Sequence, residues 1–123
     1  ESYRTCHEAK PFLDREIITY WQPDLGRCGI TETLALAAMA RRAGAAIVPH
    51  VSIALPPQLQ AATETAAALN NCSLCEYNPS VVEIANLYAG DQPFTLKQGS
   101  YHLGPLGSFG SGLAQALHHS RQR

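Results

Sequence analysis

Apolar positions fall into short runs separated by polar turns, and the runs alternate between two kinds of spacing. A mixed helical stretch over Cys6 to Arg15 precedes Ile17-Ile18-Thr19-Tyr20-Trp21, a β-branched and aromatic run closed by Gln22-Pro23-Asp24. Such a run predicts a buried strand ending in a turn. After a loop over Gly26 to Gly29, Thr31 to Ala43 reads as a helix with Leu34, Ala37 and Ala38 on its apolar face. Arg41 and Arg42 suit its C-terminal end, where the helix dipole favours cations, and Gly44 stops it. Ala45-Ala46-Ile47-Val48 is a second short apolar strand, closed by Pro49, which leaves His50 at its tip.

Pro56-Pro57 can open a helix, because the first turn needs no internal N–H partner, and Leu59, Ala62, Ala66 and Leu69 form its apolar stripe. A third strand is expected over Cys72 to Cys75 with Glu76 at its end, then a shorter helix over about Val81 to Ala89. Phe94 to Leu103 reads as two extended pieces joined at Gln98-Gly99-Ser100, and a Gly-rich stretch turns helical from Leu113. Short apolar strands alternating with helices are the mark of parallel βα units, so the fold class is α/β. Residues 1–93 hold the βα units and 94–123 a tail.

The strand ends share a feature. Glu1, Asp24, His50 and Glu76 follow one another at intervals of 23, 26 and 26 residues. A (β/α)₈ barrel of about 250 residues repeats roughly every 30 residues and assembles its active site at the C-terminal ends of its strands. The pattern therefore predicts the C-terminal portion of a TIM-type barrel, about three parallel βα units plus a tail. Three strands are too few to close a barrel, and an open parallel sheet leaves two unpaired edges. The remaining strands are expected upstream, in a longer parent chain or a partner.

Composition narrows the classes. The chain has 123 residues, with nine Lys+Arg against ten Asp+Glu and a net charge of −1. No excess of basic residues argues for nucleic acid or an anionic membrane surface. With 46% hydrophobic and 15% charged residues the chain reads as globular. It has no apolar run of roughly 20 residues and no basic-then-apolar leader, so the cytoplasm is the expected compartment. Cys6, Cys28, Cys72 and Cys75 are too few and scattered for a disulfide framework, and reduced thiols are expected. Cys72-Ser73-Leu74-Cys75 has Cys-x-x-Cys spacing, but residues three apart on a strand face opposite ways. His102, His118 and His119 are the only further zinc ligands on offer.

Three motifs together carry a family resemblance: Gln22-Pro23-Asp24-Leu25-Gly26-Arg27-Cys28-Gly29-Ile30-Thr31-Glu32, Pro49-His50-Val51-Ser52, and Cys75-Glu76-Tyr77-Asn78-Pro79. With their 26-residue intervals they resemble the C-terminal part of the catalytic barrel in the enolase superfamily, mandelate racemase / muconate lactonizing enzyme family, from Glu1 to about Leu96. The resemblance implies one Mg²⁺ held by acidic residues at three successive strand ends, Glu1 matching the last of them. It implies a His50–Asp24 dyad, with Asp24 on the second ring nitrogen, and a strand-end carboxylate at Glu76.

The implied chemistry is removal of a proton α to a carboxylate, which requires a cation and hydrogen-bond donors to stabilise the enediolate. His50 suits proton transfer near neutral pH, Glu1 is a hard oxygen ligand, and Glu76 could hydrogen-bond the substrate carboxylate. The motif style resembles acid-sugar dehydratases, in which His50 could also protonate the departing β-hydroxyl. A racemase or epimerase of the same family, and a noncatalytic fragment lacking the rest of the site, are the alternatives. The implied partners are an acid sugar, the upstream strands with a capping domain, and a second copy in a homo-oligomer; the isolated chain is expected to be inactive. The chain departs from the family in having a single glycine, Gly29, before Ile30-Thr31-Glu32, and Gly104-Pro105-Leu106-Gly107 in place of Pro-Gly-x-Gly. Without a shared site, Asp24 is a turn residue after Pro23, Glu76 an exposed carboxylate, and Glu1 a frayed terminus.

Overall fold

The computed structural model describes residues 1–51, 53–87 and 94–102. Helix α1, Cys6–Leu13, starts from a capping box in which the Glu8 N–H donates to the Thr5 hydroxyl and the Thr5 N–H donates to the Glu8 carboxylate. Bonds from the Arg4 backbone N–H first, and then from the Thr5 hydroxyl, hold the Glu8 carboxyl below its ordinary range. Ala9 and Leu13 turn inward. Past α1 the backbone enters the left-handed region at Glu16, φ 53°. The strand therefore begins later than the apolar run suggests: β1 is Tyr20–Trp21 alone. Ile17 is 61% exposed and Tyr20 53%, while Trp21 is buried, so the expected buried strand over 17–21 shrinks to its last two residues.

Helix α2, Leu25–Arg42, takes Asp24 as its N-cap, with the Gly26 N–H donating to Asp24 Oδ1 at 2.8 Å. That cap winds a turn where a loop was expected. The turn ends in a kink at Gly29, whose φ of 75° favours a residue without a side chain. Beyond it Thr33, Leu36, Ala37 and Ala40 are buried at helical i, i+3, i+4, i+7 spacing. Leu34, expected on that stripe, lies off its phase and is 45% exposed. Gly44 closes the helix: its N–H donates to Arg41 O and the Ala45 N–H to Ala40 O, the paired bonds of a Schellman motif.

Strand β2, Ala46–Ile47, pairs in parallel with β1 in the register Tyr20↔Ala46 and Trp21↔Ile47. The same offset recurs in a bridge between Asp24 and His50. The N–H groups of Ala46, Val48 and His50 donate in turn to the carbonyls of Thr19, Trp21 and Pro23. On the other side of β2 the Ile47 N–H donates to Asn71 O at 2.9 Å, and the Glu76 N–H to Pro49 O at 3.4 Å. Cys72–Cys75, expected as a third strand, lies between these two ties without forming one. Pro49 has no N–H to continue the ladder.

Helix α3, Pro56–Ala68, buries Leu59, Ala62 and Ala66 of its expected stripe, while Leu69, the fourth member, is the extended C-cap and only half-buried. Helix α4, Pro79–Asn86, starts two residues before Val81, because Asn78 Oδ1 accepts from the N–H groups of Ser80 and Val81. Strands β3, Thr95–Lys97, and β4, Ser100–His102, are the two expected extended pieces and pair as an antiparallel hairpin, turning through Gln98 and Gly99 with Ser100 already in β4. The expected end of α4 at Ala89 and the helix from Leu113 lie outside the described residues. One apolar cluster joins α1, α2 and the two parallel strands through Leu13, Trp21, Leu36, Ala40 and Ile47. A second joins Leu25 and Val51 to α3 and α4 through Leu59, Ala62, Val81, Val82 and Ala85. The architecture is α/β, with helices and few strands. No helix among the described residues is long and apolar enough to cross a membrane.

Candidate functional site

The ladder between β1 and β2 sets the level of the site. Because the Asp24–His50 bridge continues the register of the strands, both residues emerge at the same end of the parallel pair. Glu76 arrives there from the other side of β2 through its N–H bond to Pro49 O.

His50 lies between two carboxylates. Its Nε2 is 2.6 Å from Glu1 Oε2 and its Nδ1 is 2.8 Å from Glu76 Oε2. The His50 side chain is 14% exposed, against 58% for Glu1 and 33% for Glu76, so the imidazole is the sheltered member. Ionised carboxylates only accept, and a neutral imidazole carries one N–H; both bonds are made together only by the imidazolium. Loss of either proton leaves a basic nitrogen still held by a hydrogen bond from the other. The arrangement can therefore carry and release a proton at a fixed position.

Glu76 is itself fixed. The Val51 N–H donates to its Oε2, and the Tyr101 hydroxyl donates to its backbone oxygen at 3.3 Å. The second ring nitrogen of His50 thus goes to Glu76, and the expected bond from Asp24 is not made in this structure. Asp24 Oδ1 instead accepts from the Gly26 N–H and, at 3.0 Å, from the Gln58 side-chain amide on α3. Gly26 leaves room for that amide: a Cβ there would sit 2.5 Å from Gln58 Oε1. The structure gathers Glu1, His50 and Glu76 around one imidazole, with Asp24 beside them through the backbone.

Sequence reading assigned no role to Gln58 or Tyr101, and none to Val51 beyond its place in the Pro49-His50-Val51-Ser52 motif. Gln58 had a signal, as a polar residue in the first turn of the helix that opens at Pro56-Pro57, after the segment carrying His50. The other two act through a backbone N–H and across a long separation, and neither leaves a local pattern.

The cysteines are poor thiolates. Burial first, and then the neighbouring Cys72 and Glu76, push the Cys75 thiol up to about 11, and burial also raises Cys6, Cys28 and Cys72. All four are free thiols. Thiolate is the reactive form, so alkylation of Cys75 by iodoacetamide at pH 8 is expected to run about a hundredfold below free cysteine and to climb with pH toward 11. Peptide mapping by mass spectrometry reads this directly. A rate that levels off near pH 9 would remove the burial argument.

The resemblance implies Mg²⁺, which favours a near-octahedral set of oxygens. Among the described residues no group of three or more His, Cys, Asp or Glu side chains could hold a metal ion. Glu1 fits as one hard oxygen ligand; the described residues do not complete a site around it.

A family model described as enolase C-terminal domain-like matches residues 1–116. Among solved structures, a Sinorhizobium meliloti protein assigned as an isomerase, in an open-loop conformation, superposes with a TM-score of 0.75 at 26% identity, over 91% of this chain and 32% of its own. A member of the enolase superfamily from Agrobacterium tumefaciens gives 0.76 at 26% identity, over 84% of this chain and 26% of its own. A Salmonella Typhimurium protein assigned as a dehydratase gives 0.71 at 24% identity, over 82% and 25%, a likeness that shows the fold. The chain spans between a quarter and a third of the length of these structures. No curated protein sequence matches it.

Proposed function

We propose that this chain, which belongs to the enolase C-terminal domain-like family, supplies the proton-transferring histidine of a parent lyase or isomerase that removes the proton α to a carboxylate. The observation that carries the reading is the His50 imidazole held at 2.6 and 2.8 Å between Glu1 and Glu76. Nε2, on the side of the more exposed Glu1, is the nitrogen that meets the α-carbon. Glu76 holds Nδ1 and keeps the ring oriented as a proton moves. Asp24, tied to Gly26 and Gln58, fixes the start of α2 at the same level and adds negative charge near the imidazolium. Once the α-proton is taken, the same nitrogen can return a proton to a leaving β-hydroxyl, so one residue serves both halves of a dehydration.

Members of the family generally use Mg²⁺. Glu1 would be one ligand, with the others coming from strands of the parent barrel; the bound ion would offset negative charge on the substrate carboxylate. The acid-sugar dehydratase reading rests on the motif style around Asp24, His50 and Glu76. A racemase or epimerase is the second reading, favoured by the isomerase assignment of the Sinorhizobium meliloti neighbour. In either case the substrate is a small carboxylate, with the parent barrel and a capping domain completing the pocket.

The test is Mg²⁺-dependent exchange of the α-proton of a panel of acid sugars in deuterated water, run on the chain and on its full-length parent. Exchange in the parent with a 2-keto-3-deoxy acid as product is expected. Exchange with a stereoisomer as product would replace the dehydratase by the racemase. No exchange with any member of the panel would overturn the proposal.

A further inference from the structure

The hairpin of β3 and β4 is outside the motifs, yet it reaches the site. Asn86 and Phe94 anchor its base, the Asn86 amide donating to Phe94 O at 3.2 Å and the Phe94 N–H donating to Asn86 Oδ1 at 2.6 Å. From β4, Tyr101 extends to the segment that carries Glu76. Its hydroxyl donates to the Glu76 carbonyl, and its ring packs at 6.0 Å against Tyr77, the next residue. The phenol is half-buried at this contact. Burial first, then the nearby Cys75, Tyr77 and Glu76, push it up to about 12, so it remains a donor across the neutral range.

We propose that Tyr101 is a positioning residue for the proton-transfer site, acting through the backbone of Glu76. Glu76 is the residue whose side chain orients His50, and it sits past the end of β2, where the neighbouring backbone gives weak support. Pro49 contributes a carbonyl and no N–H, and the tie from the Glu76 N–H to that carbonyl is long, at 3.4 Å. The segment that precedes Glu76 forms no strand. A hydroxyl on the carbonyl of the same residue, in the next peptide unit, supplies the restraint a regular ladder would have given. The carboxylate can then meet His50 Nδ1 and the Val51 N–H together. Packing of the half-buried Tyr101 against Tyr77 and the second apolar cluster fixes the donor in turn.

This inference rests on the proposed role of His50, so its test has one readout that does not depend on turnover. Tyr101→Phe in the full-length parent removes the hydroxyl and keeps the ring packing. A crystal structure of this variant is expected to show the Glu76 carboxylate withdrawn from His50 Nδ1. α-Proton exchange is expected to fall about tenfold in kcat, the loss of one hydrogen bond that holds a catalytic geometry, with KM within about twofold. Replacing Tyr101 by 4-aminophenylalanine, which returns a donor at the same place, is expected to restore both. An unchanged Glu76–His50 pair in Tyr101→Phe overturns the inference, as does an unchanged kcat in a parent that exchanges. A parent that exchanges no substrate defeats the proposed function instead, while the Glu76–His50 distance still decides the role of Tyr101.

Discussion

Replacing His50 with asparagine is expected to lower α-proton exchange in the parent enzyme by about 10²- to 10⁴-fold, the range a positioned general acid–base residue contributes. An asparagine amide is polar and smaller than imidazole, and it neither takes up nor releases a proton near neutral pH. It can donate to Glu76 or to Glu1, so the site keeps a polar contact while losing its proton carrier. Mg²⁺ affinity, read by isothermal titration, is expected to stay within a few-fold, because the oxygen ligand assigned to this chain is Glu1. The contact at 2.6 Å between Glu1 and His50 makes that second measurement informative. Loss of metal binding with loss of exchange would show that His50 serves to hold Glu1. Retained exchange would remove His50 from the chemistry.

How far the site could be read from the sequence follows from what kind of interaction each residue makes. His50, Asp24 and Glu76 stand out because a parallel ladder repeats at a fixed interval, and the register that joins Tyr20 to Ala46 also joins Asp24 to His50. Their level in the fold is thus written in spacing. Which carboxylate faces which nitrogen is not, since it depends on competing donors. Asp24 turns to the Gly26 N–H and to Gln58, the latter 34 residues away, and Glu76 takes the place on Nδ1.

The elements divide in the same manner. The helical stretch from Cys6, the Leu59, Ala62 and Ala66 stripe of α3 and the break between two extended pieces at Gln98-Gly99 are local patterns, and they hold except at their ends: α1 stops at Leu13, Leu69 is the extended C-cap of α3, and Ser100 belongs to β4. The strand over 17–21 shortens because Glu16 enters a left-handed conformation that composition does not signal. Cys72–Cys75 forms no strand beside the segment that continues β2, where Pro49 has no N–H to extend the ladder, a fact about a different segment. The Asp24 cap and the Gly29 kink turn an apparent loop into the first turn of α2.

The strand beneath His50 sets the second large effect. Ile47 is fully buried, and its cluster brings together Trp21 from β1, Leu36, Ala37 and Ala40 from α2, and Ala9 and Leu13 from α1. Its neighbours come from three elements fixed by separate hydrogen bonds, so they can close little of the space left by truncation. Ile47→Ala is therefore expected to destabilise the fold by about 2–5 kcal/mol, and Ile47→Val, which removes one methylene, by about 0.5–1.5 kcal/mol. Urea unfolding of the parent reads both as a lowered midpoint at unchanged slope. The ladder bonds from Ala46, Val48 and His50 to the carbonyls of β1 do not involve the Ile47 side chain. The fraction of Ile47→Val that is folded is accordingly expected to keep its exchange rate within about twofold. A loss of exchange as large in Ile47→Val as in His50→Asn would mean that the position of His50 depends on core packing far more than on the backbone ladder that carries it.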